Sequence, residues 1–495
     1  MSYILSIDQG TTGTTALLIN TQNFEIIQKS NFEFEQIFPK PGWVEHNLDT
    51  IWDSVKKSVT QVLVESGIKP KDILSIGITN QRETTCAFNR TGQPLHNAIV
   101  WQDRRTGDYC HKFKKSKREK IIKEKTGLTI DPYFSASKIN WLLNNTKKVQ
   151  TSLENNDLLV GTIDTYLLFK LTGGKSFLTE ATNASRTMLV NLKTSNWDDE
   201  LLSIFEIPKN ILPSIQDSFG HFGKTEGLDF LPDGIPINCI LGDQQAALFG
   251  QAGYHESSMK CTYGTGAFVL LNIGQNIIYS KSGLLTTIAY RYKGQSFFAL
   301  EGSCYIAGAA VQWLRDNLNI ITHSSETEKI AEKISNLEDT KNIFFLPFFT
   351  GIGSPHWNSE AKAAILGLSR DSNKSHIIKA CLEGIAFSIN DLLTAMCEDS
   401  KIKIESLKVD GGACANNFLM NLQSTISNIK IIRPKNIETT AYGVALGAAI
   451  GLELIDFHDI EKYWKEDLVF SPNTDQTDYY TEKKNTWAHY VKKIY

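Results

Sequence analysis

The stretch from Tyr3 to Ile19 reads YILSIDQGTTGTTALLI: an apolar run to Ile7, a turn rich in glycine and threonine, and a second apolar run. This pattern predicts a β-hairpin. The stretch from Met259 to Ile273 repeats the layout around the turn CTYGTGA. We interpret the two hairpins as copies of one duplicated unit. Short Gly-Thr turns between strands are common, so an independent origin is the alternative.

The length and composition of the chain fit two large folded domains. It has 495 residues, and single cores usually stop growing at about 250–300 residues. Hydrophobic residues make up 41% and charged residues 21% of the chain, which is enough apolar surface for two cores. The repeated hairpins predict an N-terminal domain of residues 1–250 and a C-terminal domain of residues 251–495, with the two turns facing each other across a cleft.

Charge and cysteine content narrow the classes of partner. The net charge of −3 provides no broad positive field for nucleic acid. The eight cysteines contain no C-x-x-C pair and are predicted to be reduced thiols in the core. The N-terminus does not resemble a signal peptide, and no run of about 18 apolar residues occurs. We therefore expect a cytoplasmic protein with no nucleic-acid partner and no membrane insertion.

The glycine-threonine turns and the single carboxylates at strand ends suit the binding of phosphates and a divalent ion. Backbone N–H groups in such turns form anion-binding nests, and Thr hydroxyls add donors. Asp8, at the mouth of the first turn, is placed to orient Mg²⁺ directly or through water, since Mg²⁺ keeps several waters and takes one or two carboxylates. The alternative is that Asp8 only caps the turn.

Asp243 follows the predicted strand Pro236–Leu241 and precedes a helix. A carboxylate there is a candidate base for a hydroxyl nucleophile and equally a candidate N-cap for a helix that begins near Gln244. The strand Ser75–Thr79 ends in the polar run NQRETT. Loops held by a rigid scaffold often carry function, so both strand ends are candidates for a site.

The C-terminal half contains a strand–turn–helix unit. The strand Leu407–Asp410 leads through GGA into a helix predicted over Asn416–Ser427. Thr440–Gly451 follows as a helix rich in Ala and Gly, a composition that permits close approach of a backbone or ligand. From Asp456 onward the sequence is polar with the aromatic anchors Trp464, Trp487 and Tyr490, and we predict a surface helix there.

Seven sequence blocks, in this order, resemble the glycerol-phosphorylating members of the FGGY carbohydrate-kinase family over nearly the whole chain. They are DQGTT (8–12), GITNQRETT (77–85), NAIVWQ (97–102), DPYFS (131–135), GDQQAALFGQ (242–251), TYGTG (262–266) and VDGGA (409–413). The resemblance implies an α/β fold of two duplicated ribonuclease H-like (actin-like ATPase) domains that face a central cleft. It also implies a homodimer or homotetramer.

The resemblance implies in-line transfer of the γ-phosphoryl group of Mg²⁺-ATP to a terminal hydroxyl of glycerol, which gives sn-glycerol 3-phosphate and ADP in glycerol catabolism, with Asp243 as the catalytic base. The implied glycerol-binding residues are Arg82, Glu83, Trp101, Tyr133, Asp243, Gln244 and Phe268. The implied ATP/ADP-binding residues are Thr11, Thr12, Gly13, Thr265, Gly308, Gln312, Gly412 and Asn416, with Asp8 at the metal.

The sequence departs from the family pattern at Thr15, where many relatives have an arginine that faces the phosphates. The segment Thr225–Ile235 also lacks the glycine-rich loop that binds fructose 1,6-bisphosphate in enteric relatives. Two other functions are left open: an FGGY kinase of xylulose, ribulose or gluconate, and a non-catalytic or chaperone-like ATPase on the same scaffold. Glycerol is favoured over the other FGGY substrates by Arg82, Glu83, Trp101, Tyr133, Asp243 and Gln244. A non-catalytic ATPase would keep the glycine-threonine turns but has no reason to keep a polyol pocket.

Overall fold

A computed structural model of the protein describes residues 2–116, 118–334 and 337–495. The strands of this part of the chain are β1 (Tyr3–Gln9), β2 (Gly13–Asn20), β3 (Ile26–Glu33), β4 (Glu45–His46), β5 (Ile73–Asn80), β6 (Thr85–Asn89), β7 (Ala98–Ile99), β8 (Leu158–Thr162), β9 (Leu178–Glu180), β10 (Val190–Asn191), β11 (Asn196–Trp197), β12 (Ser214–Gln216), β13 (Phe219–Lys224), β14 (Pro236–Gly242), β15 (Met259–Tyr263), β16 (Ala267–Asn272), β17 (Leu285–Tyr292), β18 (Gln295–Cys304), β19 (Phe344–Leu346), β20 (Ala364–Leu366), β21 (Ser406–Asp410), β22 (Lys430–Pro434) and β23 (Glu466–Phe470).

The α-helices are α1 (Leu48–Ser66), α2 (Gly107–Lys114), α3 (Arg118–Thr126), α4 (Ser135–Asn145), α5 (Lys147–Glu154), α6 (Ile163–Leu171), α7 (Ala181–Ala184), α8 (Asp199–Ile204), α9 (Asp243–Gly250), α10 (Gly308–Asp316), α11 (Glu326–Glu332), α12 (Lys374–Ser400), α13 (Asn417–Ser427), α14 (Thr439–Gly451), α15 (Ile460–Tyr463) and α16 (Thr477–Ile494). Single turns of 3₁₀ helix cover Pro70–Asp72, Lys209–Ile211, Leu337–Thr340, Gly412–Ala415, Phe457–Asp459 and Thr474–Gln476.

The N-terminal half is built on a six-stranded sheet in the order β13-β14-β5-β1-β2-β3. Strands β1, β2 and β3 form an antiparallel meander, and β5 and β14 then add in parallel to β1. The register pairs Asp8 of β1 with Thr79 of β5, and Asn80 with Gly242 of β14. The carboxyl ends of three parallel strands therefore meet at one edge of the sheet.

The C-terminal half repeats this topology in a seven-stranded sheet, ordered β17-β18-β16-β15-β21-β22-β23. Strands β15, β16 and β18 are antiparallel neighbours, with β17 inserted between β16 and β18 in the chain and placed at the outer edge, and β21 and β22 add in parallel on the other side of β15. Both halves thus contain the same five strands with the same neighbours and directions. The predicted hairpins are β1–β2 and β15–β16, and the predicted duplication is confirmed.

The two halves meet where α9 crosses α14. A Cβ atom added to Gly250 would lie 2.0 Å from the carbonyl oxygen of Thr439, and one added to Gly443 would lie 2.0 Å from that of Ala246. The backbones therefore touch without intervening side chains. An apolar cluster from both halves surrounds the crossing and includes Leu17 and Leu270. We propose residues 1–250 and 251–495 as two domains that share this part of the core.

Two features of the C-terminal half differ from the sequence-based expectation. By length and composition α12 could cross a membrane, although the helix contains no long uninterrupted apolar run. In the folded protein 83% of its most apolar window is buried inside the molecule. The predicted surface helix is α16, but one face of it belongs to the core, with Trp487 fully buried. Glu383 of α12 lies between Lys379 and Lys483, and all three are buried, which joins α16 to α12.

Candidate active site

The short helix α7 positions the strand ends of the N-terminal sheet. The side chains of Asn80 and Asn183 exchange two hydrogen bonds, of 2.9 and 3.2 Å. The N–H of Gly242 donates to Thr182 Oγ1 at 2.8 Å. Arg186, just after α7, donates through Nε to Glu83 Oε1 at 2.6 Å. One short segment therefore fixes the backbone before Arg82 and before Asp243.

Arg82 and Glu83 belong to a buried network of charges. Arg82 donates through Nη1 and Nη2 to the two carboxylate oxygens of Glu301, at 2.6 and 2.9 Å. Arg186 Nη2 donates to Glu301 Oε1 at 3.0 Å. The side chains of all four residues are at most 1% exposed. Because Arg–carboxylate pairs of this kind are planar and bidentate, they hold Arg82 in one orientation.

The pKa values follow this arrangement of charges. Burial would raise the pKa of Glu301, but Arg186 and Arg82 outweigh burial and lower the pKa to about 2. Burial raises the pKa of Glu83, and Arg82 and Arg186 offset part of that rise. Glu301 is therefore the permanently charged partner of both guanidinium groups.

Sequence reasoning missed Arg186 and Glu301. Glu301 lies inside β18 in the run FFALEGSC, and Arg186 lies in TNASRTML. A charged residue within an apolar strand is rarely buried without a partner, and this was the signal available in the sequence. The identity of the partner was not, because Arg82 and Glu301 are 219 positions apart.

Asp243 is the first residue of α9, and the helix N-cap is Gly242. The alternative that Asp243 is the N-cap is therefore wrong. Its Oδ1 accepts from the N–H of Gln244 at 2.7 Å and lies 3.0 Å from Arg82 Nε, although that N–H is not aligned to form a hydrogen bond. The side chain is 31% exposed. Oδ2 has no hydrogen-bond partner among the described residues, so it is free to accept one from a ligand.

Three aromatic rings line the site beside these charges. The ring centroid of Trp101 lies 5.6 Å from that of Tyr133 and 6.3 Å from that of Phe268, both in edge-to-face geometry. Tyr133 is 5% exposed, and the other two rings are half-buried. Gln244 accepts a hydrogen bond from the buried Lys260. The structure therefore brings together all seven residues predicted to bind glycerol.

The first turn, between β1 and β2, closes on itself. The N–H of Gly10 donates to the carbonyl of Gly13 at 2.8 Å. A Cβ atom at Gly13 would lie 2.8 Å from the carbonyl oxygen of Phe32, so only glycine fits. Trp101 Nε1 donates to Thr11 Oγ1 at 3.0 Å, and Thr12 is exposed. The aromatic wall and this turn are thus directly connected.

The second turn, between β15 and β16, contacts the start of α10 and the turn at Gly411. The N–H of Gly308, the first residue of α10, donates to the carbonyl of Gly264 at 3.0 Å. Gly411 has φ +85°, and a Cβ atom there would lie 2.6 Å from the carbonyl oxygen of Tyr263. The second turn, the start of α10 at Gly308 and the turn at Gly411 therefore lie in contact with one another. Gly412 follows Gly411, Thr265 and Gln312 are exposed, and Asn416 is the N-cap of α13.

Asp8 lies half-buried between the first turn and the strand ends. Burial and the negative charge of Asp243 raise its pKa to about 8. Two carboxylates that repel each other in this way favour a cation between them. The described residues contain no group of three or more His, Cys, Asp or Glu side chains that could hold a metal by themselves. One or two carboxylates with phosphates and waters are the usual ligands of Mg²⁺, so this donor set fits it.

The departure at Thr15 has a local structural setting. Thr15 is paired with Asp8 across β1 and β2, and its Oγ1 accepts from Asn31 Nδ2 at 2.9 Å. Lys29, on the neighbouring strand β3, forms an ion pair with Glu438. Lys29 also counteracts the rise in the pKa of Asp8. A positive charge therefore lies near the first turn despite the absence of an arginine at Thr15.

Two sheets of this topology, with glycine turns and charged strand ends between them, define the actin-like ATPase fold in the form of a small-molecule kinase. Residues 3–250 match the N-terminal domain and residues 259–452 the C-terminal domain of the FGGY family of carbohydrate kinases. The chain belongs to the FGGY family of carbohydrate kinases.

Individual relatives agree with this assignment. The chain is 47% identical to a glycerol kinase of Bdellovibrio bacteriovorus, over 100% of this chain and 99% of that protein. It is 47% identical to a glycerol kinase of a Geobacillus species, over 95% of this chain and 94% of that protein. The crystal structure of Plasmodium falciparum glycerol kinase with ADP superposes with a TM-score of 0.90 at 36% identity, over 99% of this chain and 98% of that one. A gluconate kinase of Lactobacillus acidophilus has a TM-score of 0.89 at 23% identity, over 100% and 98% of the two chains, and shares the fold.

Proposed function

We propose that this chain transfers the γ-phosphoryl group of ATP to a terminal hydroxyl of glycerol, giving sn-glycerol 3-phosphate and ADP. The observation that carries the proposal is the joint presence of Arg82, Glu83 and Asp243 beside a wall of three aromatic rings. The full-length similarity to glycerol kinases supports glycerol as the acceptor. A cytoplasmic location and a homodimer or homotetramer are part of the same proposal.

The polar residues would bind the three hydroxyls of glycerol. Arg82 supplies N–H donors, Glu83 and Asp243 supply acceptors, and Tyr133 and Gln244 supply groups that can do both. The rings of Trp101 and Phe268, which lie edge to face, would pack against the carbon backbone of glycerol. Because an unpaired buried polar group costs about 1–3 kcal/mol, a pocket of this kind rejects an acceptor that lacks a hydroxyl.

Asp243 would act as the base for the reacting hydroxyl. Its Oδ2 is free of protein hydrogen bonds within the described residues, and it lies at the start of α9, at the same sheet edge as Asp8. Thr11, Thr12, Gly13 and Thr265 would hold the phosphates, and Gly412 and Asn416 the adenosine. Asp8 would hold Mg²⁺, directly or through water, and the ion neutralises phosphate charge when bound.

The acceptor is tested with a panel of polyols. Purified protein with Mg-ATP is expected to release ADP in response to glycerol, and weakly or not at all in response to xylulose, ribulose or gluconate. A coupled ADP assay measures this, with protein lacking any acceptor as the control for ATP hydrolysis. Turnover of a pentulose or gluconate without turnover of glycerol would overturn the proposal. Nucleotide binding without turnover of any acceptor would favour a non-catalytic ATPase.

Trp101→Phe tests the connection between the aromatic wall and the first turn. Phe keeps most of the apolar surface but cannot donate to Thr11 Oγ1. A single neutral hydrogen bond contributes about 0.5–1.5 kcal/mol, so kcat/KM for glycerol should fall by roughly 2–10-fold. Steady-state kinetics measures this change. Trp197→Phe, which removes a comparable bond from a tryptophan outside the predicted site to the carbonyl of Pro213, should leave kcat/KM unchanged.

A further inference from the structure

The buried charges of the site link the two halves of the chain. Arg82, Glu83 and Arg186 belong to the N-terminal half, whereas Glu301 lies on β18 of the C-terminal sheet. Within the network two guanidinium groups face two carboxylates, and all four side chains are at most 1% exposed. Without Glu301, two buried cations would share Glu83 and the partly exposed Asp243. The N-terminal half alone therefore lacks the charge that balances its own buried arginines.

Glu301 also determines the geometry of both proposed hydroxyl-binding side chains. Each of its two oxygens accepts from one terminal nitrogen of Arg82, while Nη1 also donates to Gln245 Oε1 at 3.2 Å and Nε lies 3.0 Å from Asp243 Oδ1. Through Arg186 it fixes the guanidinium that holds Glu83. Glu83 has φ +61°, a strained backbone conformation that persists only where surrounding contacts enforce it.

We propose that Glu301 is a positioning residue that completes the polyol pocket from the opposite half of the molecule by holding Arg82 directly and Glu83 through Arg186. This rests on the function proposed above, in which Arg82 and Glu83 bind the acceptor. Loss of the Glu301 carboxylate would leave two buried guanidinium groups with one negative charge fewer between them, so the orientation of Arg82 and of Glu83 would be lost.

The test compares Glu301→Gln, Glu301→Asp and the control Glu383→Gln. Glu383 is a carboxylate of matched burial between two lysines, away from the proposed site. Loss of one charge from a buried pair should raise the KM for the acceptor about 10²-fold in Glu301→Gln, with the KM for ATP within about 3-fold of wild type. Glu301→Asp keeps the charge but not the reach, and should recover part of the loss. Glu383→Gln should lower the unfolding temperature and leave both KM values unchanged.

A wild-type acceptor KM in Glu301→Gln with intact circular dichroism would overturn the proposal, as would parallel increases in the KM for acceptor and ATP. If Glu301→Gln fails to fold, Glu301→Asp decides, since an unchanged acceptor KM there overturns the proposal. Absence of glycerol turnover by wild type would contradict the proposed function alone.

Discussion

Asp243→Asn should lower kcat for glycerol by about 10²–10⁴-fold, the usual contribution of a general base. Asparagine preserves the size of the side chain and its hydrogen bond from the N–H of Gln244, but it cannot accept a proton from the reacting hydroxyl. Glycerol binding should change less than turnover, because Arg82 stays paired with Glu301. Initial rates over a range of glycerol concentrations separate the two effects.

The matched control for this prediction is Asp217→Asn. Asp217 is a partly exposed carboxylate that pairs with Arg291 at 2.6 Å, as Asp243 pairs with Arg82, but it lies outside the proposed site. We expect unchanged kinetics in this variant. Turnover by Asp243→Asn within about 3-fold of wild type would show that the carboxylate only binds the acceptor.

Gly443→Ala should destabilise the protein by about 3 kcal/mol or more, at the upper end of the range for overpacking. The added methyl group would lie 2.0 Å from the carbonyl oxygen of Ala246. This obstacle is the backbone of a packed helix, so no change of rotamer relieves it, and α9 and α14 must move apart. The midpoint of urea unfolding should fall accordingly.

The control for the helix crossing is Gly107→Ala. Gly107 is the first residue of α2, and an added Cβ atom there meets no atom within 4 Å. Alanine lowers the conformational entropy of the unfolded chain, so this variant should be neutral or slightly stabilised. Equal midpoints for Gly443→Ala and Gly107→Ala would show that the two helices tolerate a wider separation.

The repeated turns and the strand ends could be predicted from the sequence because their signals are local. A glycine-threonine turn between apolar runs identifies a hairpin wherever it occurs, and the structure confirms both β1–β2 and β15–β16. The same holds for Asp243, which follows a recognisable strand. Parallel register then brings the separate strand ends together at one edge of the sheet.

The remaining parts of the site could not be predicted because they depend on partners distant in the chain. Nothing near Glu301 in the sequence reveals that two arginines will reach it. Trp487 could be recognised in the sequence as an aromatic anchor of a polar helix, but its partners Phe387 and Asp391 on α12 could not, because they are distant in the chain.

The contact between α9 and α14 is reciprocal. Gly250 meets Thr439, which lies four residues before Gly443, and Gly443 meets Ala246, which lies four residues before Gly250. Each helix therefore presents the same surface to the other, as in the isologous interface of a twofold symmetric dimer. A homodimer of one ancestral unit, joined by gene duplication and fusion, would leave this signature. The crossing thus has the geometry of a subunit interface inside a single polypeptide.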